Sequence, residues 1–360
     1  MTKLIKKEEL EIENDESIED EGHTEFDIAT YPSDFTLSGL VEMWNNDDID
    51  IPEFQREFVW TIKQSSLLME SFLLGLPVPP VFFYIDDENK NLVIDGQQRI
   101  LSTVFFFEGY FGKETIQGKR NVFRLQGLHE ESPFNQKTFK ELGESDRRKL
   151  KGTVLRAINI RQLAPKGERT SIYHIFERLN TGGTPLWPQE IRNVVFRGEI
   201  VQILKDLNCD KNWRHILGKD TFDKHQKDLE LVLRIFALNG KYAEYEKPMK
   251  EYLNNAMENH KNGDTKALKQ FKNLFPMVTS LIIEQLGEKP FHIRGPLNTA
   301  VLDSVFCIIM GNIKYLPSDL QQRYKLLIKD DKFEVLTTSA TTNTNTVRER
   351  FKLVKKSLIG

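Results

Sequence analysis

Between residues 35 and 163 the spacing of hydrophobic positions changes repeatedly. In FTLSGLVEMWNN, Leu37, Leu40, Val41 and Trp44 recur at helical intervals and predict a short helix. IDIPEFQREFVW follows and reads as extended, because the residue before Pro52 is pushed out of helical space. TIKQSSLLMESFLLG predicts an amphipathic helix, capped by Thr61 and closed by Gly75. LPVPPVFFYID reads as a strand entered through prolines, DENK as a turn, and NLVID as a second strand paired with the first in a hairpin. GQQRILSTVFFFEG predicts a helix with Ile100, Leu101, Val104, Phe105 and Phe107 turned inward, and NVFRL and TVLRAINI predict further strands. To about residue 163 the pattern is α+β with a small mixed sheet.

Beyond LAPKGE the strand pattern stops. RTSIYHIFERLN, PQEIRNVVFRGEIVQILKDLN, KDLELVLRIFALNG, EKPMKEYLNNAMENHKN, TKALKQFKNLFPMVTSLIIEQLG, GPLNTAVLDSVFCIIMGNI, PSDLQQRYKLLIKD and NTVRERFKLVKKSLIG all predict helices. LTTSATTNTNT reads as a polar, Thr-rich loop before the last helix, and no fixed-period repeat is present. The expected organisation is an acidic, disordered tail (1–27), a mixed-sheet domain (28–165) and an all-helical domain (166–360).

Charge sharpens this division. Residues 1–27 carry a net −8 and the remaining chain +5, although the whole is only −3. Such a tail is expected to stay unfolded and to keep the chain soluble, or to occupy a basic groove in place of nucleic acid. Two cysteines, Cys209 and Cys307, make neither a disulfide framework nor a zinc site, so a reducing cytoplasm is expected. No secretory leader and no run of about 18 uncharged apolar residues is visible, so no membrane partner is expected.

Candidate chemistry begins at LVIDGQQRILS. A strand, a glycine and a helix start in succession present backbone N–H groups to an anion. Gly96 would let a ligand approach the backbone, and Arg99, one turn in, could fork onto phosphate oxygens. Asp95 could hold Mg²⁺ or orient a water, and Gln97 and Gln98 could contact a base or sugar. The plain alternative is that Asp95 caps the helix and Gln98 completes a capping box; spacing alone leaves both open. A second cluster, IPEFQREFVW, sets Gln55 and Arg56 between aromatics, as surface decoration or as a phosphate clamp. A third, FERLNTGGTPLWPQEIRN, ends a helix at Asn180 and follows it with Thr181, Gly182, Gly183 and Thr184. Two adjacent glycines suit a loop that wraps a ligand or one that merely joins helices. Pro185 is placed to stop a helix and Pro188 to start the next.

Together, the three clusters resemble the N-terminal domain family of GmrSD-type, modification-dependent restriction endonucleases. The resemblance runs from Ile51 to Trp60, through Asp95 to Arg99, and from Phe176 to Asn193; TNTVRERF near the end is similar to that family's closing segment. It implies a ParB/sulfiredoxin-like fold followed by helices, and an association with nucleotide hydrolysis and defence against phage or modified DNA. It implies a site for a nucleoside triphosphate with Mg²⁺ built by Asp95, Gly96, Gln97, Gln98 and Arg99. Gln55 and Arg56 would face that site, and Asn180, Thr181, Gly182 and Gly183 would close it. Asp95, Gln98 and Arg99 would be its catalytic members. Full-length members often carry a C-terminal nuclease unit with a His-centred metal motif. The seven histidines here are scattered, and His215 and His225, the closest pair, do not share a helical face. No Walker-type Gly-x4-Gly-Lys-Ser/Thr occurs, which argues against a P-loop ATPase.

The leading expectation is an NTP-hydrolysing protein of a restriction or anti-phage system that couples nucleotide state to DNA or a partner protein. The first alternative is a non-catalytic DNA- or nucleotide-binding specificity module serving a separate nuclease or defence protein. The second is a metal-dependent DNA nuclease built around Asp95.

Overall fold

The computed structural model describes residues 9–13, 27–51, 58–86, 89–112, 120–164, 170–179 and 187–360. The chain divides into two compact units, residues 26–185 and residues 186–360, the latter taking in residues 1–25. A two-residue strand, β1 (Ile12–Glu13), therefore belongs with the second unit. The first unit then runs β2 (Asp27–Thr36), α1 (Leu37–Asn45), β3 (Ile49–Asp50), α2 (Ile62–Leu74), β4 (Val81–Ile85), β5 (Asn91–Asp95), α3 (Gln97–Glu108), β6 (Tyr110–Phe111), β7 (Asn121–Val122), α4 (Glu144–Gly152), β8 (Val154–Ala164) and α5 (Thr170–Leu179).

Five of these strands form one mixed sheet in the order β2-β8-β4-β5-β3. The pairs β2–β8 and β4–β5 are antiparallel, while β4–β8 and β3–β5 are parallel. The hairpin of β4 and β5 is the one the sequence predicts, with a register irregularity at Phe82/Phe83. α2 is fixed at both ends as expected. Thr61 Oγ1 accepts from Gln64 N, Gln64 Oε1 accepts from Thr61 N, and Gly75 adopts the left-handed conformation at the C-terminus. Leu37, Met69, Phe72, Val81, Phe83, Val93, Ile100, Val104 and Leu155 join strands and helices in one core. An aromatic layer extends it, with Phe58 edge-on to Phe105 and Phe111, and Phe106 edge-on to Phe123 and Phe139.

The sequence pattern did not predict β2. Its residues, DIATYPSDFT, include Pro32, Ser33 and two aspartates, and strand periodicity is weak there. As the outermost strand it needs only one paired side and tolerates such residues. NVFRL yields only the short β7. Phe106, rather than its neighbours, is the fully buried phenylalanine of α3.

The second unit is helical: α6 (Pro188–Val195), α7 (Glu199–Asn208), α8 (Lys211–Leu217), α9 (Lys227–Leu238), α10 (Met249–Asn259), α11 (Lys266–Leu286), α12 (Thr299–Gly311), α13 (Leu320–Leu327), α14 (Asp331–Thr338) and α15 (Thr344–Leu358), with a short strand β9 (Leu297–Asn298) before α12. α9 lies at its centre, packed by α6, α7, α10 and α12. The run from Pro188 to Asn208, read as one helix in sequence, is two. The break falls at Gly198, where a Cβ would stand 2.3 Å from the Lys261 carbonyl oxygen. The Thr-rich loop is shorter than the sequence suggests, because α14 takes Leu336 to Thr338 and α15 begins at Thr344. Among the described residues, no helix is long and apolar enough to cross a membrane.

Candidate functional site

The core sets the bend between β5 and α3. Val93 and Ile94 are buried, and Asp95 at the strand end pairs across to Phe82. Gly96 then turns the chain with φ +99°, a region that L-residues avoid. It also packs tightly: a Cβ there would lie 2.4 Å from Val81 Cγ1. A close neighbour in the fold therefore explains this glycine, where the sequence reading invoked an approaching ligand.

The helix start is not the capping box that Asp95 and Gln98 were placed to form. Gly96 is the N-cap residue and has no side chain with which to cap the first turn of α3. Gln98 instead turns sideways, where its Oε1 accepts from both Val59 N (3.1 Å) and Trp60 N (3.2 Å). It thereby latches the end of the Ile51–Trp60 motif to α3. The start of that motif is also held, since Ile51 is buried directly after β3. Gln55 and Arg56 lie outside the described residues.

Arg99 reaches back along the bend. Its Nη2 donates to Asp95 Oδ2 at 2.8 Å and to the Pro80 carbonyl at 3.0 Å, while its buried Nε has no partner among the described residues. The Asp95 side chain is 49% exposed and that of Arg99 16% exposed, so the carboxylate opens to solvent and the guanidinium is mostly covered. Gln97 is buried, and its Nε2 likewise lacks an acceptor among the described residues. The bend thus gathers Asp95, Gly96, Gln97 and Arg99, with a donor on each of the last two still to be satisfied. Buried donors without acceptors are costly and uncommon.

α5, which leads to Asn180, packs against β5 within the same unit. Ser171 Oγ of that helix donates to Gln162 Oε1 on β8, tying its first turn to the sheet. Asn180, Thr181, Gly182 and Gly183 lie outside the described residues. The residues after this loop have structural partners. Pro188 occupies the first turn of α6, and Glu190 Oε2 accepts from Trp187 N. Arg192 is buried and donates to Asn254 Oδ1 (2.9 Å), Glu230 Oε2 (2.7 Å) and Gln189 Oε1 (3.2 Å). Asn193 Nδ2 donates to Gln226 Oε1. These side chains bind α6 to α9 and α10, a role that spacing alone could not separate from ligand contact.

Among the described residues no group of three or more His, Cys, Asp or Glu side chains is placed to hold a metal ion. Asp95 offers one carboxylate, with one oxygen already engaged by Arg99. That donor set suits Mg²⁺ brought in on the phosphates of a nucleotide, which needs only one or two protein carboxylates.

Sequence reasoning missed one polar cluster. Asp303 on α12 is fully buried between Arg234 of α9 (Nε to Oδ2, 2.8 Å) and Arg350 of α15 (Nη2 to Oδ1, 3.3 Å). Arg350 belongs to the TNTVRERF segment, so this part of the resemblance carries a packing hub. The available signal was weak: one Asp and two Arg, on three different helices and among mostly apolar inward positions.

Residues 37–197 match the family model described as GmrSD restriction endonuclease, N-terminal domain. No curated protein matches the chain.

Proposed function

We propose, from the similarity of residues 37–197 to the GmrSD restriction endonuclease N-terminal domain, that this chain serves a restriction- or defence-type system, binds a nucleoside triphosphate at the β5–α3 bend and hydrolyses it. The observation that carries this reading is the glycine-started first turn of α3, where the N-cap residue Gly96 offers no side-chain cap and Asp95 and Arg99 flank the bend. The amides there, at the positive end of the helix dipole, suit phosphate oxygens. Arg99 would counter charge developing on the phosphate, and its geometry is already fixed by Asp95 and the Pro80 carbonyl. Asp95 would orient the attacking water or bind the phosphate-borne Mg²⁺, which when bound supplies charge neutralisation. Gln97 would donate its unsatisfied amide to the nucleotide, and Gln98 would keep Val59 and Trp60 beside α3.

The test is a thermal-shift panel of the four NTPs with Mg²⁺, followed by phosphate release. Nucleotide at a hundredfold over its Kd would stabilise by about 2.7 kcal/mol, roughly 5–10 °C in Tm for a unit of this size. Asp95→Ala and Arg99→Ala are expected to remove the shift and the phosphate release while the fold persists. No shift with any NTP, or undiminished release by both variants, would refute the site.

A second reading has one observation in its favour. The Arg99 guanidinium already has an anionic partner in Asp95, which suits recognition without turnover. In that case the panel gives a thermal shift but no phosphate release, and the domain acts as a specificity module on DNA or for a separate nuclease. DNA binding would then fall steeply with salt.

A further inference from the structure

The helical unit holds an extended pentapeptide, and that peptide is the chain's own residues 9–13. Its backbone pairs in parallel with β9, Ile12 against Leu297 and Glu13 against Asn298, and Glu11 O accepts from Leu297 N at 3.2 Å. Leu10 is 4% exposed and lines a small cavity together with Arg214, Thr221 and Asp228. Its N–H donates to Asp223 Oδ2 at 2.6 Å. The flanking carboxylates meet cations. Glu13 takes Arg294 Nε at 2.7 Å and Asn298 Nδ2 at 3.0 Å, and Glu9 lies 3.9 Å from Lys227 Nζ.

These contacts have the features of strand-addition recognition: main-chain pairing for affinity, one side-chain pocket and charged ends for selectivity. They are made almost entirely by a five-residue segment, against a surface that the unit's helices build without it. We propose that the cleft between β9 and the start of α9 is a docking site for an extended peptide of pattern acid–Leu–x–apolar–acid. Residues 9–13 fill it in cis, and a partner strand of the same pattern displaces them.

The occupant also touches the turn that anchors α6. Asp223, which holds Leu10 N through Oδ2, uses Oδ1 to accept from His225 N (2.8 Å) and Lys227 N (3.0 Å). The His225 ring packs on Trp187 at 4.5 Å, and Lys227 Nζ sits 4.6 Å from the centre of the same indole. Exchange of the peptide would therefore be felt at Trp187, the first described residue after Asn180–Gly183. The proposal stands independently of nucleotide binding.

The test uses a fluorescent peptide of residues 7–15 and the full chain carrying Leu10→Asp and Ile12→Asp, which cannot seat its own strand. The variant is expected to bind the peptide saturably and at least tenfold more tightly than wild type, and Arg294→Glu added to it is expected to weaken binding at least tenfold. Equal affinity of variant and wild type, or indifference to Arg294→Glu, would overturn the proposal. Amide exchange provides a second readout with the milder Leu10→Ser. Leu297 N–H is expected to exchange at least tenfold faster than in wild type while α12 stays protected; an unchanged rate overturns the seating. A wild-type dimer that the Leu10→Asp/Ile12→Asp chain no longer forms would assign the cleft to a second copy and overturn occupancy in cis.

Discussion

Asp303 offers the sharpest test of how the helical unit is held together. Its carboxylate is fully buried and serves two guanidiniums at once, and Arg350 is itself fully buried. The remaining partners of Arg350 are neutral: its Nη1 donates to the carbonyls of Leu336 (3.2 Å) and Thr341 (2.9 Å). Burial pulls the Arg350 pKa below its ordinary value, and Asp303 opposes that pull. Asp303→Asn keeps the volume and removes the charge that pairs with both guanidiniums. Removing one partner of a buried ion pair costs about 3–5 kcal/mol, and with two cations orphaned the upper end, about 5 kcal/mol, applies. At roughly 2 kcal/mol per M of urea, the unfolding midpoint of the unit should fall by about 2–3 M. Trp213, buried against Phe275 and Phe306, makes fluorescence the natural reporter. Asp303→Leu combined with Arg234→Met and Arg350→Met leaves no unpaired charge and should lose less than Asp303→Asn alone. A midpoint change under about 0.5 M for the single substitution, or a triple variant less stable than the single, would refute the argument.

Other expectations are simpler. Gln98→Ala removes the acceptor shared by Val59 N and Trp60 N, so those two amides should exchange faster with about 1–2 kcal/mol of stability lost; Gln98→Glu, which keeps an acceptor, should largely restore protection. Thr61→Ala should cost about 1 kcal/mol through loss of the α2 cap, lowering Tm by roughly 2–4 °C in a melting scan. The Glu141 carboxylate is pushed down to about 2, first by the Thr138 N–H and then by Arg124. Its folded value lies below its unfolded one, so its contribution is complete above about pH 4.5 and disappears as pH falls toward 2. An NMR titration should find Glu141 still ionised at pH 3 in wild type and protonating at higher pH in Arg124→Gln.

Much of the first unit was readable because its signals are local. The Thr61 cap, the Gly75 stop and the β4–β5 hairpin each need only a few adjacent residues, and each forms as the pattern says. Legibility failed where a distant partner decides. β2 owes its ten residues to pairing with β8, more than a hundred positions away. Gly198, at the break between α6 and α7, is held against the distant Lys261 carbonyl. At the candidate site, spacing correctly joined a strand to a helix through Gly96, but it did not foresee that Arg99 would pair with Asp95. It could not tell that Gln98 would face Val59 and Trp60, or that Arg192 would be consumed by Asn254 and Glu230. Side chains of one motif thus divide between the bend and the scaffold according to contacts that no short window contains.

The fit of Gly96 against Val81 has an evolutionary consequence. A larger residue at position 96 must accept an unfavourable backbone and also find space that a branched aliphatic on β4 already fills. Neither obstacle yields to a change at one position, so the two sites should drift together or not at all. Among sequences sharing this bend, departures from glycine should accompany a shrunken neighbour at the start of the preceding strand.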